Sequence, residues 1–415
     1  MTAGPLVLWP RLVRTGRHAQ RPPQSGANGH HMIGRHNGTS LKVAVFSGNY
    51  NYVKDGANQA LNRLVGRMLV RGLEPRVYSP IVNEPAFEPT GTLVGVPSVP
   101  IPGRGEYRVA LGLPRAVKAD LEAFAPDIVH LSAPDWLGHD AKRWGQGRGV
   151  PVVASVHTRF ETYFDYYRMG FIRRGAERLL KSFYGDLAEI YAPSDSMSDV
   201  LRREGYSDKV RIWSRGVDRH IFRPEARDTA WRRSLGISDE TAVVGFVGRL
   251  VLEKGLDIVA ATVAELARRG VPHHLLVVGD GPARAEFEGL VPGATFAGFQ
   301  TGHDLGRAYA SFDMFLNPSI TETFGNVTLE AMACAVPPVA AAATGASSLV
   351  ENGVSGRLVT PGNSGAFADA LQAYVQDPAL REAHGAESFR RAQAFDWDAI
   401  NDSVIDRYLK IAGRG

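Results

Sequence analysis

The sequence holds a single cysteine, Cys334, in 415 residues. That excludes an internal disulfide and any multi-cysteine metal site, and it suits a reducing compartment. Cys334 lies in Ala-Met-Ala-Cys-Ala-Val, a setting that reads as a small buried core position rather than a reactive thiol. No run of about 18 apolar residues is present, so no membrane span is expected. Leu6–Trp9 is too short for the apolar core of a signal peptide. Excess positive charge is also scarcer than the net +4 suggests. Five of the 47 basic residues (Arg11, Arg14, Arg17, Arg21 and Arg35) fall within the first forty positions, where there is no acid, leaving 42 against 43 acidic side chains. A body so balanced gives no footing for nucleic acid. Residues 1–40, with their Gly, Pro and His, read as a disordered tail, and Met32 is an alternative start.

What is present is an ordinary globular composition, 44% apolar and 22% charged, in a chain long enough for two or three domains. From Leu41 short β-branched runs alternate with amphipathic stretches. Strands are expected at Lys42–Phe46, Arg76–Ser79, Asp127–Leu131, Val152–Val156, Ile190–Ala192 and Val210–Trp213, with helices such as Asn58–Arg71 and Ala116–Phe124 between them. A second series begins at Val243–Gly248 and continues at Leu275–Val278, Thr295–Ala297, Met314–Leu316 and Val336–Ala340. Helical patterns at Leu256–Arg269, Ala283–Leu290 and Asp304–Ala310 separate these strands. Repeated β-α units imply parallel sheets covered on both faces. The break is Arg215–Pro224, read as a polar hinge. Two doubly wound domains are therefore expected, 41–218 and 219–395, with a ligand cleft between them beyond the carboxyl ends of the strands. Residues 396–415 read as a final helix crossing back to the first domain. Asp396-Trp-Asp398 resembles a metal-binding pair of aspartates, but Asp398 ahead of an apolar run reads more simply as a helix cap, and no metal is expected.

The chemistry gathers at strand ends. Glu322-Thr-Phe-Gly325-Asn326-Val-Thr-Leu-Glu330 follows a buried strand and opens a helix. Glu322 is then on the loop and Glu330 about one turn inside the helix, with free amides around Gly325 between them. A helix N-terminus draws anions, whereas carboxylates accept hydroxyl protons; a ligand with both phosphates and sugar hydroxyls satisfies both. The blander alternative is a loop acid plus a Glu that merely complements the helix dipole.

Gly248-Arg249-Leu-Val-Leu-Glu253-Lys254-Gly255 supplies Arg249 and Lys254 at a strand end and helix start, placed to neutralise a diphosphate as its glycosyl bond breaks. Gly56, in the turn after the first strand, permits close backbone approach, though a purely structural turn reads as well. His157 closes the strand Pro151–Val156 and faces the expected cleft, either to bond a sugar hydroxyl or leaving phosphate or as a structural histidine. Arg159–Lys181 interleaves six basic and three acidic side chains with dense aromatics. That suits docking to an anionic membrane surface, or equally a solvated, internally packed helix. His273 and His274 read as structural.

Taken together, Val-Gly-Arg249 with Glu-Lys254-Gly, Val-Val-Gly279-Asp-Gly-Pro282, Ser319 with Glu322 and Glu330, Arg215-Gly-Val-Asp218 and Phe-Asp-Trp397 resemble the family-four retaining glycosyltransferases over roughly residues 41–411. The lipid-directed branch, with sulfoquinovosyl-diacylglycerol synthases and bacterial mannosyl- or glucuronosyl-lipid transferases, is the most similar. The resemblance implies the α/β GT-B fold, two Rossmann-like domains around a cleft. It implies transfer, without metal or other cofactor, from a UDP- or GDP-sugar co-substrate to a membrane lipid hydroxyl. It implies a cytoplasmic enzyme, peripheral on the inner face of the plasma membrane. By the same resemblance Glu330 binds the donor ribose and Glu322 the transferred sugar. Arg249 and Lys254 hold the diphosphate, aided by amides of Phe324, Gly325 and Asn326. Gly56 lies under the phosphate and His157 near the sugar, with Glu322 and His157 the catalytic pair. Two departures stand out: Thr344-Gly-Ala-Ser-Ser348 replaces a Gly-Gly-x-Pro-Glu run and lacks its acid, and Ala335 replaces a glycine, read as a packing change. Alternative readings are a soluble or polysaccharide acceptor, a nucleotide-sugar 2-epimerase, or a non-catalytic sugar-nucleotide scaffold.

Overall fold

The computed structural model describes residues 40–53, 55–101, 104–157 and 170–414. Residues 1–39 of the expected N-terminal tail, and the 159–169 part of the basic, aromatic segment, lie outside them. Among the described residues two parallel sheets form. The first runs β1 (Lys42–Phe46), β2 (Glu74–Ser79), β3 (Thr92–Gly95), then, after a hairpin of β4 (Ser98–Ile101) and β5 (Arg104–Ala110), β6 (Ile128–Leu131), β7 (Val152–Ser155), β8 (Glu189–Ala192) and β9 (Val210–Ile212). Its spatial order is β3-β2-β1-β6-β7-β8-β9. The second comprises β10 (Val243–Val247), β11 (His274–Val278), β12 (Thr295–Phe296), β13 (Met314–Asn317), β14 (Pro338–Ala341) and β15 (Arg357–Val359). Its order, β12-β11-β10-β13-β14-β15, is that of the doubly wound dinucleotide fold. The order reverses beside β10, and ligands bind at that reversal.

Runs such as Val-Val-Gly-Phe-Val in β10 are apolar on both faces because helices cover both. Each sheet accordingly has two cores. One face of the first packs Phe46, Val129 and Ala154 against Leu121, Trp144 and Leu201. The other packs Val43, Val45 and Val153 against Leu61, Leu64 and Met68 of the helix Gly56–Val70 and against Val404, Ile405 and Tyr408 of the helix Trp397–Ile411. Ion pairs of Arg67 with Asp398 and Asp402, and of Arg71 with Asp402 and Asp406, tie those two helices together at the surface.

Several local expectations need correction. The cap of the last helix is Asp396, which accepts from the Ala399 amide at 3.0 Å. Asp398 lies in the first turn and pairs with Arg67 at 2.9 Å instead. The segment read as a polar hinge is packed in part: Arg215, Val217 and Phe222 are buried and a Cβ on Gly216 would lie 2.6 Å from the Trp397 ring, whereas Arg219, His220 and Arg223 are exposed. Ala335 is not a packing substitution but a backbone one. Its φ is +58°, the left-handed region in which a Cβ crowds the neighbouring carbonyl. Ala335→Gly is expected to stabilise the fold by about 1 kcal/mol, read as a higher Tm and denaturation midpoint with unchanged m-value.

Candidate active site

The two sheets present the carboxyl ends of β1, β6 and β7 and of β10 and β13 to one cleft. In the second domain, β10 is followed by Gly248 and Arg249. That turn is braced from behind by β11's extension: a Cβ on Gly279 would be 2.0 Å from the Gly248 carbonyl oxygen, and the Leu250 amide donates to Asp280 O at 2.9 Å. Arg249 is exposed and has no ion-pair partner among the described residues. Lys254, just before the helix Leu256–Arg268, turns to Glu322 and makes an ion pair through Nζ and Oε1. The pair is mostly shielded, with side chains 28% and 19% exposed.

Glu322 sits on the loop after β13, and Gly325 ends that loop at φ +94°, a conformation glycine adopts without strain. Asn326–Ala333 then forms a helix with no side-chain cap, so its first amides remain directed at the space beside Glu322. Phe324 is buried edge-on against Phe395, which anchors the loop from below. Glu330, in the second turn, keeps some exposure. Burial of its carboxyl pushes its pKa up to about 7, with the nearby charge of Glu322 adding to the rise. The Tyr309 hydroxyl opposes that rise, though it lies outside ordinary hydrogen-bond geometry. Sequence reasoning missed Tyr309: nothing in its helix, Gly302–Ala310, shows that the ring points under Glu330.

The first domain closes on this loop at three points. A Cβ on Gly56 would lie 2.3 Å from Asn326 Nδ2, so the starts of the helices Gly56–Val70 and Asn326–Ala333 meet head to head and glycine is what admits the contact. The Thr323 hydroxyl donates to the His157 carbonyl at 3.0 Å, and the Thr323 carbonyl accepts from Ser194 Oγ at 2.7 Å. Ser196 Oγ and Ser348 Oγ are 2.8 Å apart. The departure at residues 344–348 thus places a hydroxyl contact between domains. Gly56, Lys254, Glu322, Phe324, Gly325, Asn326 and Glu330 are brought together, with Arg249 at the adjoining strand end. His157 lies at the same edge, but both ring nitrogens have protein partners: Arg215 at 2.9 Å on Nδ1 and Ser155 at 2.8 Å on Nε2. The expected bond from its ring to a sugar hydroxyl is therefore not open in this conformation, and what the residue offers the cleft is its carbonyl. Thr323, Ser194, Ser155 and Ser348 also went unread in sequence, because an isolated hydroxyl carries no spacing signal. Among the described residues no group of three or more His, Cys, Asp or Glu side chains is placed to hold a metal ion.

Solved glycosyltransferases share this architecture. Sucrose-phosphate synthase from Thermosynechococcus elongatus matches with a TM-score of 0.75 at 22% identity, over 90% of this chain and 100% of that one. Anabaena Alr3699/HepE, solved with UDP and glucose, matches at 0.67 and 21% identity over 88% and 99%. The fold is GT-B. At the sequence level the Glycosyltransferase Family 4 profile matches residues 54–220 and the Glycosyl transferases group 1 profile residues 241–377. The chain belongs to this glycosyltransferase family and is a nucleotide-sugar-dependent enzyme. It is 32% identical over 381 residues to a GDP-mannose-dependent alpha-mannosyltransferase of Mycolicibacterium smegmatis, covering 90% of this chain and 98% of the relative. It is 29% identical over 328 residues to the sulfoquinovosyl transferase SQD2 of Arabidopsis thaliana, covering 77% and 64%.

Proposed function

We propose that the protein transfers mannose from GDP-mannose, with retention at the anomeric carbon and without a metal ion, to a hydroxyl of a membrane lipid. The observation that carries the reading is the convergence of Lys254, Glu322, Glu330 and the uncapped start of the helix Asn326–Ala333 at the strand-order reversal. Glu330 takes the ribose hydroxyls and Glu322 a hydroxyl of the sugar. Arg249, Lys254 and the amides of Phe324, Gly325 and Asn326 take the diphosphate, where fixed charge stabilises the leaving group as the glycosyl bond lengthens. The departing phosphate oxygen accepts the acceptor hydroxyl's proton on the same face of the sugar, so no protein nucleophile is required. Donor binding exchanges the Lys254–Glu322 pair for contacts to phosphate and sugar, so Lys254 gains an anionic partner and Glu322 a hydroxyl donor.

GDP-mannose is favoured over UDP-sugars by the GDP-mannose-dependent relatives aligned along about nine-tenths of the chain. The lipid acceptor is supported by the basic, aromatic sequence at 159–181 and by the exposed apolar side chains of Trp136 and Leu179 on the first domain. Among the described residues no helix is long and apolar enough to cross a membrane, and the proposal places the enzyme peripherally on the cytoplasmic face.

The test incubates the purified protein with GDP-mannose, UDP-glucose or UDP-galactose, with and without bacterial lipid extract. Consumption of GDP-mannose accelerated by lipid, with an α-linked glycolipid as product, is the expected result. A 2-epimerised sugar nucleotide, transfer confined to soluble acceptors, or no donor consumed would each overturn the reading.

A further inference from the structure

A buried polar chain runs from the cleft edge to the last helix, and the transfer chemistry above makes no use of it. Arg215 Nη2 lies 2.9 Å from His157 Nδ1, His157 Nε2 2.8 Å from Ser155 Oγ, and Ser155 Oγ 2.9 Å from His130 Nε2. His130 Nδ1 then meets the Tyr408 hydroxyl. His130, Ser155, Arg215 and Tyr408 are all buried. Trp213 stands edge-on to both imidazoles and under the Arg215 guanidinium, and its own indole N–H donates to Asn401 at 3.1 Å. The chain thereby joins β6, β7, the inter-domain crossing and the helix Trp397–Ile411.

Its direction follows from counting donors. A guanidinium only donates, so His157 Nδ1 accepts. A neutral His157 then carries its proton on Nε2 and donates it to Ser155. The single Ser155 hydrogen points to His130 Nε2, and the His130 Nδ1–H points to Tyr408. Both imidazoles are neutral at ordinary pH. Burial, then the Arg215 charge, holds His157 well below the usual histidine range, and burial takes His130 down to about 3. The charged and titratable groups facing the chain among the described residues are Arg215 at one end and Tyr191 and Tyr408 around His130. Glu189 lies behind Tyr191, neutralised by Arg211 and Arg407. From the second domain the contact is the Thr323 hydroxyl, on the His157 carbonyl.

We infer that Arg215, His157, Ser155, His130 and Tyr408 form a positioning relay: it fixes the strand end at His157 against the C-terminal helix so that the His157 carbonyl receives Thr323 and sets the neighbouring Glu322 where the two domains meet. His157 acts here as a positioning residue, with no ring nitrogen free to exchange a proton with substrate. The inference rests on the glycosyltransferase reading of the cleft only for its kinetic readout.

The test uses two changes that each remove one hydroxyl and keep shape, Ser155→Ala and Tyr408→Phe, alone and together. Initial rates of GDP-mannose consumption with bacterial lipid extract give kcat and KM, and histidine-selective 15N spectra from pH 5.5 to 8 give the tautomers, with His157→Gln for assignment. In the parent, His157 is expected to show a bare Nδ1 and a protonated Nε2 that do not titrate. Each single variant is expected to lower kcat about tenfold with KM within about twofold, and the double variant to be no worse than either single. An ordinary titration of His157, a proton on Nδ1, an unchanged kcat, or losses that add in the double variant would overturn the relay. If no donor is consumed with or without lipid, the functional proposal fails, and the nitrogen spectra still decide the relay.

Discussion

Replacing Lys254 by alanine is expected to lower kcat/KM for sugar transfer by about 10²–10³-fold, the usual cost of losing one fixed group that stabilises charge on a leaving oxygen. Lys254 is the cation drawn into the loop beside Glu322, so its ammonium is already held where a diphosphate would arrive. The fold should tolerate the change. A partly shielded pair at a domain edge contributes on the order of 1 kcal/mol or less, so Tm should shift by only a few degrees. Lys254→Arg separates charge from shape. It keeps the cation but replaces a point charge with a planar fork, and it is expected to recover part of kcat. A Lys254→Ala protein that retains full transfer activity would remove the cationic clamp from the mechanism. Thermal melts of the same preparation distinguish that outcome from unfolding.

Glu330→Gln should have the next largest effect, and its sign depends on pH. In the free protein, burial pushes the pKa of the carboxyl up to about 7 from the ordinary glutamate value of 4.5. Between those values the folded state keeps a proton that the unfolded chain has released. Stability therefore falls as pH rises through that window, and the cost of the buried charge is fully present above it. Glutamine carries no such cost, so the variant is expected to be more stable than the parent at pH 8 by about 1–2 kcal/mol and no more stable near pH 4.5. Donor binding runs the other way. Ribose hydroxyls donate better to a carboxylate than to a neutral acid, so parent affinity should rise from pH 6 to 8. The variant should be flat and weaker at pH 8 by about 2 kcal/mol, roughly thirtyfold. Calorimetric titration with GDP at the two pH values, beside melts without ligand, checks both halves. Stabilisation without loss of affinity would show Glu330 to be a structural acid only.

The architecture was legible because it is written in period and punctuation. β1, β10 and β11 are bounded apolar runs, and the helices between them carry a clear apolar stripe. The elements that went unread are those whose pattern is set by something other than burial. β3 is an edge strand with half-exposed side chains, the β4–β5 hairpin is crowded with proline and glycine, and β15 is three residues long. In the site, residues bearing charge at strand ends could be named because charge beside a helix start is unusual enough to notice. The inter-domain contacts could not. Thr323, Ser194 and Ser348 are ordinary hydroxyl residues until the two domains bring them within 3 Å of their partners. Arg215 was visible as part of a motif, yet its burial against Trp213 and His157 depends on the last helix, almost two hundred residues away. A polar motif in sequence does not say whether its side chains face water or core.

The most direct measurement is a crystal structure of the protein with bound GDP-mannose or GDP. The central claim is that carboxylates of the second domain grip pentose and hexose oxygens, with positive groups beside them on the diphosphate. It requires the ribose hydroxyls within hydrogen-bond distance of Glu330, the sugar beside Glu322, and the phosphates between Arg249, Lys254 and the amides at Gly325 and Asn326. A nucleotide bound elsewhere, with Glu322 and Glu330 left facing solvent, would contradict it.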